Sequence, residues 1–312
     1  MARSFERHAE YRSSAQFEMC TPAVGARPRS RCEHGWSGAA SRAMNLQAYL
    51  DRIGFDGVAR PDADTLKTIH HQHLLSITYE NLSVHLGDAV GLDPAESYDK
   101  IVEGRRGGWC YEMNGLLGWA LQEIGFDVMR MSAGVLRSTR GDSIIGNHLA
   151  LAVHMEDGPW LADVGFGDGL REPVPLTPGA IEQFGLHYRL ELRDDGYWRL
   201  HNHEHGGAAD FDFRYERAEE ARLNELCTWL QTSEESQFVR TLICQRFRPD
   251  RIEVLRGRVR RTVTPDGARE WLLQDVDEFQ REVRETFELH IEVNHLWQHV
   301  VAQHEKVFGP SN

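Results

Sequence analysis

The sequence predicts an α+β protein whose helical and strand regions follow one another along the chain. From Met44 to about Ile124, apolar residues recur with the spacing of helices that bury one face. From Asp127 to about His203, apolar and polar residues alternate with the period of two typical of half-buried strands. Both patterns occur again after residue 216. Separation of the two periods is typical of α+β folds, and 312 residues allow two or three domains.

The changes of period divide the chain into five segments. Residues 1–43 hold seven Arg, six Ser and four Glu without an apolar period, so we expect a disordered extension. An Arg- and Ser-rich transit peptide is the alternative, although such peptides are usually poor in acidic residues. The other expected segments are a helical domain at 44–126, a β-barrel domain at 127–215, a helical interdomain segment at 216–250 and an α/β module at 251–312.

Four helices are predicted in the helical domain. Apolar stripes at 46–53 and 66–73 predict the first two, and a third covers 94–102. The fourth begins at Cys110 and ends at Gly125, since glycine favours helix C-termini. Its buried face consists of Met113, Leu116, Leu117, Ala120, Leu121 and Ile124.

The β domain is expected to be a barrel or a strongly curled sheet. Its predicted strands are 129–136, 148–155, 160–164, 188–192 and 198–201, with turn signals between them. In the remaining part of the chain, helices are predicted at 216–230, 236–246 and 277–287, and strands at 252–255, 259–263 and 271–273.

Composition argues against several classes of function. The net charge of -13, from 35 basic and 48 acidic residues, disfavours a nucleic-acid partner and an anionic membrane surface. No apolar stretch reaches the length of a membrane span, and residues 1–30 lack the apolar region of a secretory signal. Five widely spaced cysteines without a C-x-x-C pair fit a reducing compartment better than disulfides or a zinc site. We therefore expect a cytoplasmic protein without a metal.

One cysteine has the surroundings of a nucleophile. Cys110 falls at a predicted helix N-terminus, where the helix dipole and the nearby Arg105 and Arg106 favour a thiolate. Gly107 and Gly108 would let backbone N–H groups approach a substrate, as an oxyanion hole requires. The ordinary alternative is a buried structural cysteine.

A cysteine nucleophile needs a base and a group that orients the base. His148 opens a predicted strand, and Asp163 lies in an apolar strand, where a carboxylate is costly unless it is paired. A two-residue hairpin at Asp157 and Gly158 would place Ala152 opposite Asp163. His148 would then face the same side but lie about 13 Å away at ~3.3 Å per residue. A different register, a bulge or a sharp twist is needed to join the two.

Four motifs in order resemble the arylamine N-acetyltransferase family. The first is the segment Tyr-Glu-Asn-Leu at 79–82, and the second is Arg-Gly-Gly-Trp-Cys-Tyr-Glu-Met-Asn at 106–114. Asn-His-Leu-Ala-Leu at 147–151 and Asp-Val-Gly-Phe-Gly at 163–167 follow. A later segment around 232–238 is also similar, and the resemblance runs from about residue 44 to the C-terminus.

The resemblance implies a fold and a catalytic triad. The fold would be an N-terminal helical bundle, a central β barrel and a C-terminal α/β lid at 251–312, around a papain-like cysteine triad core. The triad would be Cys110, His148 and Asp163, with Asp163 fixing the imidazole tautomer.

The resemblance also implies supporting residues. Arg106 would pair with Glu80 and tie the cysteine loop to the first domain. Phe166 would line the acceptor pocket, and the Gly-rich run at 165–169, including Gly167, would let acetyl-CoA approach through exposed backbone N–H groups. The backbone of Tyr111, next to the cysteine, would help to hold the oxyanion.

The implied activity is acetyl transfer from acetyl-CoA to arylamines, arylhydrazines or N-hydroxyarylamines, in xenobiotic metabolism. A ping-pong mechanism would pass through an acetyl group on Cys110. Its partners would be these small molecules, with no nucleic acid, membrane or metal, and either a monomer or a homo-oligomer is compatible with it. Two alternatives are a papain- or transglutaminase-like hydrolase using the same triad, and a catalytically silent binding protein.

Three further patterns have weaker functional interpretations. Alternating histidines at 201–205 and helical histidines at 70–73 could bind a metal, but a solvated strand end and an incomplete ligand set are simpler explanations. An arginine cluster at 256–261 predicts either a solvated strand face or contact with CoA phosphates.

Overall fold

The computed structural model describes residues 44–308. The expected extension at 1–43 lies outside the described residues, as do residues 309–312. Within 44–308, no helix combines the length and the apolar character needed to cross a membrane.

The helical region contains five α-helices and one short strand. The helices predicted at 46–53, 66–73 and from Cys110 are confirmed, and the predicted third helix is an α-helix only to Tyr98 before a π-turn over Asp99–Glu103. Side-chain oxygens of Asn45 and Asp62 accept backbone N–H groups at the first two N-termini, as helix caps do. The elements are α1 (Leu46–Ile53), α2 (Ala63–Ser76), β1 (Tyr79–Glu80), α3 (Leu82–Leu86), α4 (Pro94–Tyr98) and α5 (Cys110–Ile124).

An eight-stranded antiparallel sheet follows, with strand order β5-β4-β3-β2-β9-β8-β7-β6. All five predicted strands are present, but β5, β6 and β9 were not predicted. Among the described strands, β5 and β6 form the two edges and do not pair with each other, so of the two expected forms, a barrel or a strongly curled sheet, the sheet takes the second and is a curled half-barrel. Its strands are β2 (Asp127–Val135), β3 (His148–Met155), β4 (Gly158–Ala162), β5 (Val174–Pro175), β6 (Gly179–Gln183), β7 (Leu186–Leu192), β8 (Trp198–His201) and β9 (Asp210–Phe213), with α6 (Arg137–Arg140) between β2 and β3.

The hairpin of β3 and β4 has a different register from the simple one considered above. Met155 pairs with Gly158 and Leu151 with Ala162, so the turn is 156–157, one residue earlier than expected. Continued beyond Ala162, this register places Asp163 opposite residue 150, only two positions from His148 on the same face. Side chains at such diagonal positions are within reach of each other. The shifted turn therefore removes half of the separation that the simple hairpin implied.

The C-terminal sheet draws on distant parts of the chain. Its strand order is β1-β10-β11-β12-β13, so the short strand before α3 forms one edge. The helix predicted at 236–246 is wrong beyond Arg240, because β10 begins at Ile243, and the lid sheet starts before the expected boundary at 251. The elements are α7 (Glu220–Thr232), α8 (Gln237–Arg240), β10 (Ile243–Arg248), β11 (Arg251–Arg256), β12 (Val259–Thr264), β13 (Gly267–Leu272), α9 (Val276–Arg281) and α10 (Trp297–Phe308), with a π-turn over Glu282–Thr286.

Three groups of buried apolar side chains join these layers. The largest packs α1, α2 and α5 against the half-barrel, and the second lies beneath the C-terminal sheet. The third surrounds Cys110 and includes Trp109, Tyr111, Leu149 and Cys227. The cysteine therefore lies where the first helices, the half-barrel and α7 meet.

Candidate active site

Cys110 is the first residue of α5 and is buried. The Glu112 carboxylate accepts the Trp109 backbone N–H at 3.2 Å, which fixes the first turn of the helix. The thiol sulfur lies 3.9 Å from the carbonyl oxygen of Asn147, the residue before His148. The helix N-terminus thus directs the cysteine toward the start of β3.

His148 and Asp163 form a buried pair beside it. The His148 Nε2 lies 2.7 Å from Asp163 Oδ2, and both side chains are only 2% exposed. Burial alone would raise the pKa of Asp163, but the charge and hydrogen bond of His148, with bonds from Asn114 and Gly165, lower it. An ionised carboxylate only accepts hydrogen bonds, so Nε2 carries a proton. In the neutral ring, Nδ1 is then free to take a proton.

Asn114 is a site residue to which the sequence assigned no role. Its Nδ2 donates to Asp163 Oδ1 at 2.7 Å, and its Oδ1 accepts the Val164 N–H at 2.9 Å. The sequence contains an indication of this role, because Asn114 lies one helical turn after Cys110 and is the last residue of the motif at 106–114. The same helix therefore carries the cysteine and an amide that orients Asp163.

The Cys110 thiol is less acidic in the fold than its position in the sequence suggests. Burial raises the pKa of Cys110 well above its usual range, the nearby Cys227 adds to the effect, and backbone hydrogen bonds from Leu149 and Tyr111 oppose it. Arg106 is bound elsewhere and Arg105 is exposed. The expectation that these two arginines favour a thiolate is therefore wrong, and the thiol proton needs a base close by.

Gly107 and Gly108 serve packing. Gly108 N–H donates to Thr78 O at 3.2 Å, and Gly108 O accepts the Glu80 N–H at 2.9 Å, in a bridge to β1. A Cβ on Gly107 would collide with Thr78 O. The two glycines thus let the segment before Cys110, the cysteine loop, lie against β1. Gly108 N–H is already bonded to Thr78 O, so it is not available to an oxyanion, contrary to the expectation from the sequence.

Ion pairs between charged side chains anchor the cysteine loop. Arg106 Nη2 lies 2.9 Å from Glu80 Oε1, and Lys100 Nζ lies 2.9 Å from Glu112 and 3.8 Å from Glu80. Burial opposes ionisation of Glu80, but Lys100 and Arg106 outweigh it and lower its pKa, whereas burial raises the pKa of Glu112. Lys100, which the sequence analysis did not identify, therefore bridges two buried carboxyl groups.

The three residues assigned to substrate binding occupy different environments. Phe166 is partly exposed, and its ring centroid is 5.9 Å from that of His148 and 4.9 Å from that of Phe211. Tyr111 is fully buried, and its hydroxyl donates to Gly146 O at 2.6 Å. Of these three residues, Phe166 alone has its side chain beside His148, where Phe211 also packs at 5.1 Å between ring centroids, while Tyr111 contributes its backbone N–H near the thiol.

The Gly-rich run after Asp163 is largely buried. Gly167, at φ +91°, packs directly against the Gln245 side chain of β10. Asp168 Oδ2 accepts the Gly207 N–H at 2.6 Å, and His203 Nε2 lies 3.1 Å from Asp168 O. The exposed backbone N–H groups expected at 165–169 are therefore covered here. Two surface cavities, of about 440 and 260 Å³, are not lined by Cys110. Residues within 262–271 line the first, and residues within 48–52 and 102–105 line the second.

The other sequence patterns are engaged in structural contacts. His201 Nε2 lies 2.8 Å from Glu191, and the described residues contain no group of three side chains able to hold a metal. In the arginine cluster, Arg260 is buried with Glu253 and Glu282, and Arg261 pairs with Glu270. Arg260 therefore does not lie on a solvated strand face, and its guanidinium is bound to carboxylates and not exposed to a phosphate.

Known proteins are similar to this chain in sequence and in fold. A family model described as N-acetyltransferase matches residues 62–296. The chain is 34% identical over 240 residues to arylamine N-acetyltransferase, pineal gland isozyme NAT-3, of Gallus gallus, covering 69% of this chain and 81% of that one. The structure of arylamine N-acetyltransferase from M. tuberculosis gives a TM-score of 0.75 at 30% identity, covering 82% and 99%. That of the Mycobacterium marinum enzyme in complex with CoA gives 0.73 at 29%, covering 84% and 99%.

Proposed function

The chain belongs to the family of arylamine N-acetyltransferases, which are acyltransferases, and we propose that it transfers the acetyl group of acetyl-CoA to an arylamine, arylhydrazine or N-hydroxyarylamine. The complex of the M. marinum relative with CoA supports CoA as the carrier of the acetyl group. One observation carries the proposal: at a helix N-terminus, the Cys110 sulfur lies 3.9 Å from the carbonyl oxygen of Asn147, and the next residue, His148, forms a buried pair with Asp163 at 2.7 Å.

The first half-reaction acylates the enzyme. His148 Nδ1 takes the Cys110 proton, and Asp163 stabilises the resulting imidazolium. The thiolate attacks the thioester carbonyl carbon, so a Cys110 S–C bond forms while the C–S bond to CoA breaks. CoA leaves as its thiol after taking the proton from His148. Backbone N–H groups at the start of α5, including that of Tyr111, would stabilise the oxyanion.

The second half-reaction transfers the acetyl group. The amine nitrogen attacks the acetyl carbon, His148 takes the proton that the nitrogen loses, and the C–S bond to Cys110 breaks. The amide leaves and the Cys110–His148 pair is restored. Phe166, beside the His148 ring, is placed to contact the aromatic ring of the acceptor.

The proposed functional division follows the fold. The helical part, 44–126, supplies the nucleophile, and the half-barrel, 127–215, supplies the base and its carboxylate. The C-terminal sheet acts as the lid through Gln245, which covers Gly167. This division gives the papain-like arrangement of a cysteine on a helix facing a histidine on a sheet.

The relatives favour transfer over hydrolysis. A hydrolase with the same triad would use water as the acceptor, and burial does not separate the two reactions, because water is smaller than any amine and enters wherever the amine does. Membership of an N-acetyltransferase family and the CoA complex of the M. marinum relative support an amine as the acceptor.

The test is the covalent intermediate. Acetyl-CoA without amine should add one acetyl mass to the intact protein, on the peptide that contains Cys110, and an arylamine should discharge it. Cys227→Ser is the matched control, because Cys227 is a second buried cysteine of the same apolar group. The Cys227→Ser variant should still become acetylated by acetyl-CoA, whereas the Cys110→Ser variant should not. Absence of an adduct, or an adduct that decays in buffer regardless of amine, would contradict the proposal.

A further inference from the structure

One buried imidazole bridges the two ends of the loop that carries Asp163. His70, in α2, is fully buried. The Asp163 backbone N–H donates to its Nε2 at 3.2 Å, and its Nδ1 lies 3.1 Å from the Arg171 carbonyl oxygen. Both ends of the loop 163–171 are therefore held by one ring from a different part of the fold.

These two contacts define the protonation of the ring. A carbonyl oxygen can only accept, so Nδ1 carries the proton, and a backbone N–H can only donate, so Nε2 is bare. Burial lowers the pKa of His70 to about 4, although its hydrogen bonds to Arg171 and Asp163 oppose the shift. At neutral pH, His70 is thus uncharged and in a single tautomer.

The position of the bridge gives it a consequence for the site. Strand pairing of β4 with β3 ends at Ala162, so Asp163 is the first residue beyond the ladder. His70 supplies the partner that its N–H would otherwise lack. The carboxylate of the same residue then reaches His148 and Asn114.

The far end of the loop is tied to the C-terminal sheet. The Arg171 guanidinium donates to Arg248 O at 2.6 Å and to Arg251 O at 3.0 Å, in the turn between β10 and β11. Its backbone carbonyl is the one that accepts from His70. The imidazole therefore connects α2, the triad loop and the lid.

We propose that His70 is a positioning residue that staples the loop 163–171 at both ends and thereby sets the orientation of the Asp163 carboxylate toward His148. The inference rests on the proposed function, in which that carboxylate orients the base of Cys110.

The first test uses the unmodified protein. Nitrogen-15 NMR of the histidine rings at pH 7 should show, for His70, a protonated Nδ1 and a bare Nε2. A His70→Gln spectrum assigns the resonance by its loss. A ring protonated at Nε2, or at both nitrogens, would contradict the staple, and this result does not depend on any variant remaining folded.

The second test compares two substitutions that each keep one end of the staple. In His70→Gln, the amide oxygen occupies the place of Nε2 and can accept from Asp163 N–H. In His70→Asn, the shorter amide occupies the place of Nδ1 and can donate only to Arg171 O. Both variants lose the ring, and Asn is one methylene smaller than Gln, so at this buried site their packing losses differ by that methylene. Urea unfolding of both variants therefore accompanies the rate measurement.

The readout is the pH profile of iodoacetamide alkylation at Cys110, measured per folded protein. Base-assisted proton transfer contributes on the order of 10²–10⁴-fold to such chemistry, so a misplaced Asp163 should slow alkylation at pH 7 by about tenfold in His70→Asn. In His70→Gln the rate should stay within about threefold of wild type. A merely structural role predicts equal rates in the two variants, and equal rates would overturn the proposal.

Alkylation needs no acetyl-CoA, so the two proposals can fail separately. If wild type forms no acetyl adduct but the two variants differ as expected, acetyl transfer is wrong and the staple is supported. If the adduct forms and the variants alkylate alike, only the staple is wrong.

Discussion

The two loops that meet at the active site are held by different chemistry. The cysteine loop is anchored by buried charges, Glu80 and Glu112 with Arg106 and Lys100. The loop that begins at Asp163 is anchored by neutral groups, the His70 imidazole and the Asn114 amide. Charged pairs give strong anchoring but are costly when one partner is lost. Neutral hydrogen bonds are weaker individually, yet here the Asn114 amide contacts the Asp163 carboxylate and His70 contacts the backbone of the same residue. We therefore expect damage to the charged anchor to appear mainly in stability, and damage to the neutral anchor mainly in chemistry.

The largest expected effect is loss of the charged anchor. Arg106→Gln removes one partner of the fully buried Glu80, and breaking such a pair costs roughly 3–5 kcal/mol of the free energy of unfolding. Arg189→Gln is the control, because its partner Glu191 is a surface carboxylate, and such pairs contribute about 0–1 kcal/mol. Urea unfolding measures both. Equal losses in the two variants would remove the distinction between buried and surface pairs.

A second effect tests the neutral anchor. Asn114→Ala leaves the Val164 N–H without its partner and removes one of the two hydrogen bonds that Asp163 Oδ1 accepts, the other coming from the Gly165 N–H. The loss should be about 3 kcal/mol in total, because an unsatisfied buried group costs ~1–3 kcal/mol and a hydrogen bond to a charged group contributes ~1.5–3 kcal/mol. The alkylation rate of Cys110 per folded molecule should fall as well, unlike in Arg106→Gln. If alkylation is unchanged in folded Asn114→Ala, the neutral anchor has no effect on the chemistry.

The smallest expected effect separates the two anchors by pH. His70 has a folded pKa of about 4, below its ordinary 6.5, so the unfolded state binds its proton first as pH falls. Its stabilising contribution is complete above about pH 6.5 and is lost as pH falls toward 4. Between pH 7 and pH 5 the loss is about 2 kcal/mol at ~1.36 kcal/mol per pKa unit.

The two carboxyl groups of the charged anchor respond to pH in opposite directions, because burial raises the pKa of Glu112, which therefore loses no stabilising contribution as pH falls. The pKa of Glu80 is lowered, so its contribution is present above its unfolded pKa and is lost only as pH falls below that value. Urea unfolding at pH 7 and pH 5 should therefore show a smaller difference in His70→Gln than in wild type. Burial also lowers the pKa values of His73 and His85, so part of the difference remains in the variant. An identical pH dependence in the two proteins would contradict a neutral, buried His70.

The sequence predicted what depends on local pattern. The helix behind Cys110, the strand that opens at His148 and the need of Asp163 for a partner all follow from spacing and polarity within a few residues. The family resemblance and the comparisons agree. The helix predicted at 236–246 is correct only as far as Arg240. Beyond it, a short apolar run has no distinctive period, and pairing with β1 and β11 makes it a strand.

The residues to which the sequence assigned no role at the site are far from Asp163 along the chain. His70 meets Asp163 at a distance of 93 residues along the chain, and Asn114 meets it at 49. No local pattern indicates which backbone N–H a helical histidine will meet. The one-residue shift of the β3–β4 turn was also undetermined, since both registers keep His148 and Asp163 on one face.

The pairing of β1 with β10 sets an order of events during synthesis on the ribosome. Asn81, directly after β1, binds the backbone of Ile243, 162 residues further along the chain. At about 5–20 residues per second, the ribosome takes roughly 8–30 s to make that stretch. Throughout that interval the edge to which the cysteine loop is bridged lacks its neighbouring strand. The nascent chain therefore carries Cys110 long before β10, at Ile243–Arg248, is available to complete its surroundings.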